Sequence, residues 1–213
     1  MSMSAAEVEK LKKAPAVDRV LPVFLQRWSP RSFAARAVDP ADLRTIFEAV
    51  RWTQSSYNEQ PWRYLVGERG PDGRTSDTYD KIFKSLGEWN QLWAKTAPVL
   101  IVGTASPSFS HNNTPNGYAF HDLGAADATL CYQAAALGIH THQMAGYDRE
   151  AARAAFGVPA EFVMGSAIAL GYLGEPDALE NEAQRKSEEL PRTRKAVSDF
   201  AYSAWNEPTK WAK

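Results

Sequence analysis

The run from 118 to 137 constrains the fold more than any other stretch of the chain. It is rich in alanine and places Leu123, Ala126, Leu130, Ala134 and Leu137 on one helical face, and Gly138 stands ready to terminate it. Small side chains over about five turns let neighbouring elements approach closely, so the spacing predicts a central buried helix. Such a helix needs other elements to cover it, and the sequence supplies them. Asp39 and Pro40 open a helix carrying Leu43, Ile46, Phe47 and Val50 that should end near Trp52. A strand is predicted over 64–67, a helix over 76–95 and a buried strand over 98–103, with an exposed turn at Asp72-Gly73. Asp148 caps a short helix that Gly157 closes, an apolar strand follows over 162–173, and a last helix is predicted over 193–205. This alternation, without internal repeats, predicts an α/β or α+β domain. The Ser-, Asn- and Pro-rich loop over 106–116 is the expected mobile element.

Composition narrows the function classes. The 213 residues hold 24 Lys plus Arg against 25 Asp plus Glu, a net charge of −1 that argues against nucleic acid or anionic lipid as a bulk partner. With 44% hydrophobic and 23% charged residues, the chain has the balance of a globular domain. Its single cysteine, Cys131, can form neither an intramolecular disulfide nor a multi-cysteine metal site, which points to a reducing, cytoplasmic setting. The first 13 residues carry mixed charge and no apolar run, so no signal peptide is expected there, and no stretch approaches a membrane span.

Many common catalytic signatures are absent: there is no Gly-x-Gly-x-x-Gly, Walker loop, Gly-x-Ser-x-Gly elbow or Cys-x-x-Cys. His140 and His142 fall on one side of a strand without a clustered carboxylate or thiolate, which favours core-edge histidines over a metal site. Cys131, in mid-helix, has no neighbour in sequence that would lower its pKa. Four other elements stand out. Arg27-Trp28-Ser29-Pro30-Arg31 concentrates guanidinium groups and hydroxyls suited to a phosphate, although a solvated basic turn has the same composition. Arg192-Thr193-Arg194-Lys195 repeats that chemistry at the far end of the chain. Gln54-Ser55-Ser56-Tyr57-Asn58-Glu59-Gln60-Pro61-Trp62 follows a helix with mixed donors and acceptors, among them the amides of Asn58 and Gln60. Met144-Ala145-Gly146 ends a strand on a glycine, where backbone amides can approach a ligand.

In this order and spacing, from about residue 27 to 194, the four elements resemble the FMN-dependent nitroreductase family. The resemblance implies an α+β fold with a central, mostly antiparallel sheet flanked by helices around a long buried central helix. It also implies one FMN-binding domain over 1–213 and an obligate-type homodimer with FMN at the subunit interface. Arg27 and Ser29, with Trp28 between them, would lie at the phosphate, completed by Arg192 and Arg194, and Arg31 near the flavin N1 and O2. Ser55, Ser56, Asn58 and Gln60 would reach the isoalloxazine from the partner subunit, with Tyr57 facing the substrate. Met144, Ala145 and Gly146 would present amides toward N5 and O4, and Asn90 is the candidate for the pyrimidine edge. Gln54 stands where members commonly have Pro, and Ala145 where some have Glu, which leaves substrate choice open.

The implied activity is hydride acceptance from NADH or NADPH and reduction of nitroaromatic, quinone or similar electrophilic acceptors by a ping-pong mechanism. No side chain need be catalytic in it, because flavin N5 carries the chemistry. The same fold and flavin also fit reductive dehalogenation, enoate reduction or oxygen-dependent flavin chemistry, or flavin binding without efficient turnover. A nucleic-acid-binding module is the reading of the arginine clusters that ignores the flavin.

Overall fold

The computed structural model describes residues 2–212. Helices α1 (Ala5–Lys12), α2 (Pro22–Gln26) and α3 (Pro40–Arg51) precede strand β1 (Trp62–Glu68). Then come α4 (Asp77–Ser85), α5 (Glu88–Ala94), β2 (Val99–Ala105), α6 (Ala119–Ala136), β3 (His140–Met144), α7 (Arg149–Phe156) and β4 (Val163–Gly171). The chain closes with α8 (Glu182–Glu188) and a small hairpin of β5 (Tyr202–Ala204) and β6 (Glu207–Pro208). The main sheet runs β1-β2-β4-β3, and all three neighbouring pairs are antiparallel. Among the described residues no helix is long and apolar enough to cross a membrane.

Strand β2 explains the layering, because it is buried along its whole length. Val99 and Ile101 pack toward α3 and α6 with Ile46, Leu130 and Ile168, while Leu100 and Val102 pack on the other face with Tyr79, Ile82 and Trp93. The two-residue alternation of a strand thus feeds two cores, and each buried Leu or Ile contributes about 1.5–3 kcal/mol. Helix α6 lies on the first face as expected, with Leu123, Ala126, Leu130 and Ala134 buried, whereas Leu137, expected on the same face, is exposed just past its end. Gly67 is required where β1 passes under the start of α4, since a Cβ there would sit 2.3 Å from the Tyr79 backbone nitrogen. Gly157 closes α7 in the left-handed region at φ 62°, and Asp148 caps it by accepting from the Ala151 amide.

Two expectations are corrected. The helix over 76–95 is two helices, because the chain extends at Leu86 and restarts with Gly87 as N-cap. The helix over 193–205 does not form: that segment holds a short 3-10 turn at Val197–Asp199 and then the β5–β6 hairpin, turned at Asn206 with φ 63°. Val197, Phe200 and Trp205 are all exposed, so a helix there would have no apolar surface of its own chain to pack on. The loop over 106–116, expected to be mobile, carries hydrogen bonds of its own. Phe109 donates its amide to Thr114, and Glu59 accepts from both the amide and the hydroxyl of Ser110.

Candidate flavin site at the end of strand β3

Chain ends 165 residues apart meet at the basic cluster. Arg192 donates from Nη1 to the Arg27 carbonyl at 2.6 Å and from Nη2 to the Leu25 carbonyl. Arg27 donates to the Ser29 hydroxyl at 3.2 Å. Arg27, Arg192 and Arg194 line one cavity of about 760 Å³ together with Lys12, Lys13 and Tyr132, a volume within the roughly 300–1,000 Å³ of ligand pockets. Among the described residues no carboxylate lies within ion-pair distance of Arg27, Arg192 or Arg194. Burial, and then Arg194 and Arg27, press the Arg192 pKa down. Like charges gathered without counter-charge favour an anion between them.

Arg31 is placed differently from its basic neighbours. Its amide donates to Glu188 Oε1 at 3.1 Å, its Nη1 donates to Ser187 Oγ at 3.2 Å, and Nη1 lies 3.8 Å from Glu188 Oε1. Trp28 lies between these basic residues. Its side chain is buried, with Lys12 Nζ 4.9 Å over its ring and His140 at its edge.

At the end of β3 the Met144 side chain is in the core, while Ala145 and Gly146 are exposed, so this turn offers backbone rather than side chains. Among the described residues neither the Ala145 nor the Gly146 amide donates a hydrogen bond. The Gly146 carbonyl accepts from the Gly87 amide at 3.0 Å and from Asn90 Nδ2 at 2.9 Å. Asn90 Oδ1 in turn accepts from Trp93 Nε1 at 3.3 Å. Asn90 therefore reaches the turn but is engaged at both ends of its amide; it holds the turn instead of presenting a free edge.

The loop over 54–62 is strained and braced. Tyr57, Asn58 and Gln60 have φ values of 52°, 55° and 50°, which non-glycine residues adopt only when surrounding contacts enforce them. The Ser56 amide donates to Asp122 Oδ2, the Gln60 amide to Ser55 Oγ, and Gln60 Nε2 to Asn58 Oδ1. Asn58 and Gln60 thus bond to one another, not to an open edge. Tyr57 stands 84% exposed with its ring 5.5 Å from that of Phe109. The loop sits at the Asp122 end of α6, whereas the basic cavity touches Tyr132 and its neighbour cavity Ala135. Asp122 and Tyr132 are ten positions apart, about 15 Å along the helix axis. One chain does not bring the loop and the basic cluster together.

Three buried polar groups lie near the sheet, and of these Asp127 had no signal in the sequence. Asp127 accepts from Tyr64 at 2.8 Å and Ser166 at 2.7 Å, and burial pushes its carboxyl pKa up. Burial likewise raises the Cys131 thiol, as expected of a structural cysteine. His142 stacks 4.6 Å from Trp93, its Nδ1 lies 2.8 Å from the Pro30 carbonyl oxygen, and burial takes its pKa down to about 4. An unfolded imidazole titrates near 6.5. Between these values the unfolded chain binds a proton that the folded chain excludes, so stability falls as pH drops through the window. Denaturant titrations should show the wild type losing about 2 kcal/mol relative to His142→Asn between pH 7 and pH 5. Parallel pH curves for the two proteins would contradict the assignment.

The Nitroreductase family model matches residues 24–172, well over half of the chain. The chain belongs to the nitroreductase family. Among its relatives, an uncharacterized 15.4 kDa protein of Mycolicibacterium smegmatis is 35% identical over 151 residues, spanning 68% of this chain and 99% of that one. A protein of Archaeoglobus fulgidus, provisionally named NADH dehydrogenase/NAD(P)H nitroreductase, is 28% identical over 160 residues, 73% of this chain and 86% of its own. Among solved structures, an oxidoreductase containing FMN superposes with a TM-score of 0.81 at 29% identity, covering 90% of this chain and 95% of that one. This nitroreductase-family chain therefore carries the antiparallel α+β architecture of its relatives, and α1, α8 and the hairpin lie outside the matched segment.

Proposed function

We propose that the chain is an FMN-dependent oxidoreductase that takes electrons from NADH or NADPH and passes them to nitroaromatic, quinone or related electrophilic acceptors. The observation that carries this reading is the convergence of Arg27, Arg192 and Arg194, without a carboxylate partner, on one cavity. The relatives support it: one structural neighbour is an oxidoreductase containing FMN, and the Archaeoglobus protein is named for NAD(P)H.

In this reading Arg27, Ser29, Arg192 and Arg194 hold the phosphate, Arg31 lies toward the pyrimidine edge, and the amides of Ala145 and Gly146 face the reacting edge of the ring. Bound flavin supplies hydride acceptance and donation, so the protein needs no nucleophile or metal of its own. Asn90 and Gly87 fix the turn through the Gly146 carbonyl, which orients the two amides before any ligand arrives. The whole chain acts as one cofactor-binding domain in a reducing, cytoplasmic setting.

The working unit in this proposal is a homodimer. A two-fold axis that packs α6 against its copy in antiparallel fashion carries the 54–62 loop of one protomer to the basic end of the other, bridging the roughly 15 Å that separate them along α6 in one chain. Ser55, Ser56, Asn58 and Gln60 then shape a braced wall, and Tyr57 overhangs the acceptor side. Anaerobic mixing of the FMN-loaded protein with NADH and with NADPH, followed by nitrofurazone, a quinone and an enone, tests the reaction. Rapid bleaching and reoxidation by one acceptor class is expected. Flavin that is bound but not bleached by either donor would reduce the protein to a flavin carrier.

A further inference from the structure

The Arg31 guanidinium is not a free charge, and its partner lies outside residues 24–172 that match the family model. Glu188 closes α8 with its side chain 2% exposed, while the Arg31 side chain keeps 26% exposure. Arg31 thus runs from the buried carboxylate toward the surface. Glu188 Oε1 accepts the Arg31 amide at 3.1 Å and lies 3.8 Å from Nη1, while Oε2 is buried without a hydrogen-bond partner. Lys12, also outside the family segment, donates from Nζ to the Ser187 carbonyl at 3.0 Å and adds a second cation next to the same carboxylate. Burial pushes the Glu188 carboxyl pKa up, and the Arg31 amide and the charges of Arg31 and Lys12 oppose that shift by favouring the carboxylate.

We propose that Glu188 is a positioning residue that fixes Arg31 and offsets its charge, lowering the reduction potential of the flavin bound beside it. Reduction builds negative charge on the pyrimidine edge, and Arg31 stabilises that charge less when Glu188 already answers it. The fold therefore sets the electron-donating strength of the cofactor through a residue that touches Arg31 and not the flavin. This rests on the placement of Arg31 proposed above.

The test is the two-electron potential of FMN-loaded wild type, Glu188→Gln, Glu188→Asp, Arg31→Gln and Lys12→Met, measured against reference dyes, with FMN affinity recorded alongside. Glu188→Gln is expected to favour reduced flavin about tenfold, an upward shift of about 30 mV. Glu188→Asp should return toward wild type, and Arg31→Gln and Lys12→Met should shift the potential down. If Glu188→Gln does not fold, the Asp and Lys12 variants decide, and a Lys12→Met potential at or above wild type overturns the proposal. An unchanged potential in Glu188→Gln with a lowered one in Arg31→Gln overturns the role of Glu188 and leaves the flavin site standing. Unchanged potentials in both, with FMN bound, overturn it by removing Arg31 from the flavin. Failure of the wild type to take up FMN removes the site itself.

Discussion

Replacing Arg192 and Arg194 together by Ala is expected to weaken FMN binding about a hundredfold, roughly 3 kcal/mol, with the fold of residues 24–172 intact. The magnitude follows from the two charges. A hydrogen bond to a charged group contributes about 1.5–3 kcal/mol, and Arg194, being exposed, should give less than the half-buried Arg192. Arg192 has a second task that the single variants separate. Its guanidinium ties the tail to the carbonyls of Leu25 and Arg27, so Arg192→Ala should also loosen the tail, while Arg194→Ala should lower affinity alone. Because the contact is electrostatic, the loss should shrink at high salt. Fluorescence titration of FMN at two salt concentrations measures it, and unchanged affinity in the double variant would show that the late pair is not at the phosphate.

Trp93→Ala should destabilise the protein by about 3–5 kcal/mol, the usual cost of removing a large buried aromatic side chain. Trp93 is 1% exposed, stacks on Phe33 with ring centroids 6.2 Å apart and packs 4.6 Å from His142. It also donates to Asn90, which holds the Gly146 carbonyl, so the loss reaches the turn that presents the two free amides. Trp93→Phe keeps most of the packing but removes the indole donor; it should be only mildly unstable and still bind FMN less tightly. Chemical denaturation with FMN titration on the same samples separates the two effects. A Trp93→Ala protein within 1 kcal/mol of wild type would contradict the packing account.

The elements that the sequence announces are those whose stability is settled locally. Helix α3 has its Asp39 cap and Pro40, α7 has Asp148 and Gly157, and β2 is an uninterrupted apolar run. The break between α4 and α5 escaped the sequence reading of one helix over 76–95, and its function emerges only in space, where the Gly87 amide meets the Gly146 carbonyl. The tail misleads because Val197, Phe200, Ala201 and Ala204 fall at helical spacing, yet no surface of the same chain exists for that face. The early and late arginines are visible as clusters, and their meeting was inferred from charge. Glu188, Asp122 and Asp127 were not foreseen, since each acts on a partner 39 to 157 positions away and no local pattern marks such a pair.

The central claim is that the unpaired arginines and the Gly146 turn form a site for one flavin nucleotide. An absorption and fluorescence titration of the purified protein with FMN tests it most directly. The account predicts a yellow protein, or an apoprotein that saturates at one FMN per chain, with the flavin bands bleached by NADH or NADPH in the absence of oxygen. A colourless protein that takes up no FMN across the titration would contradict it.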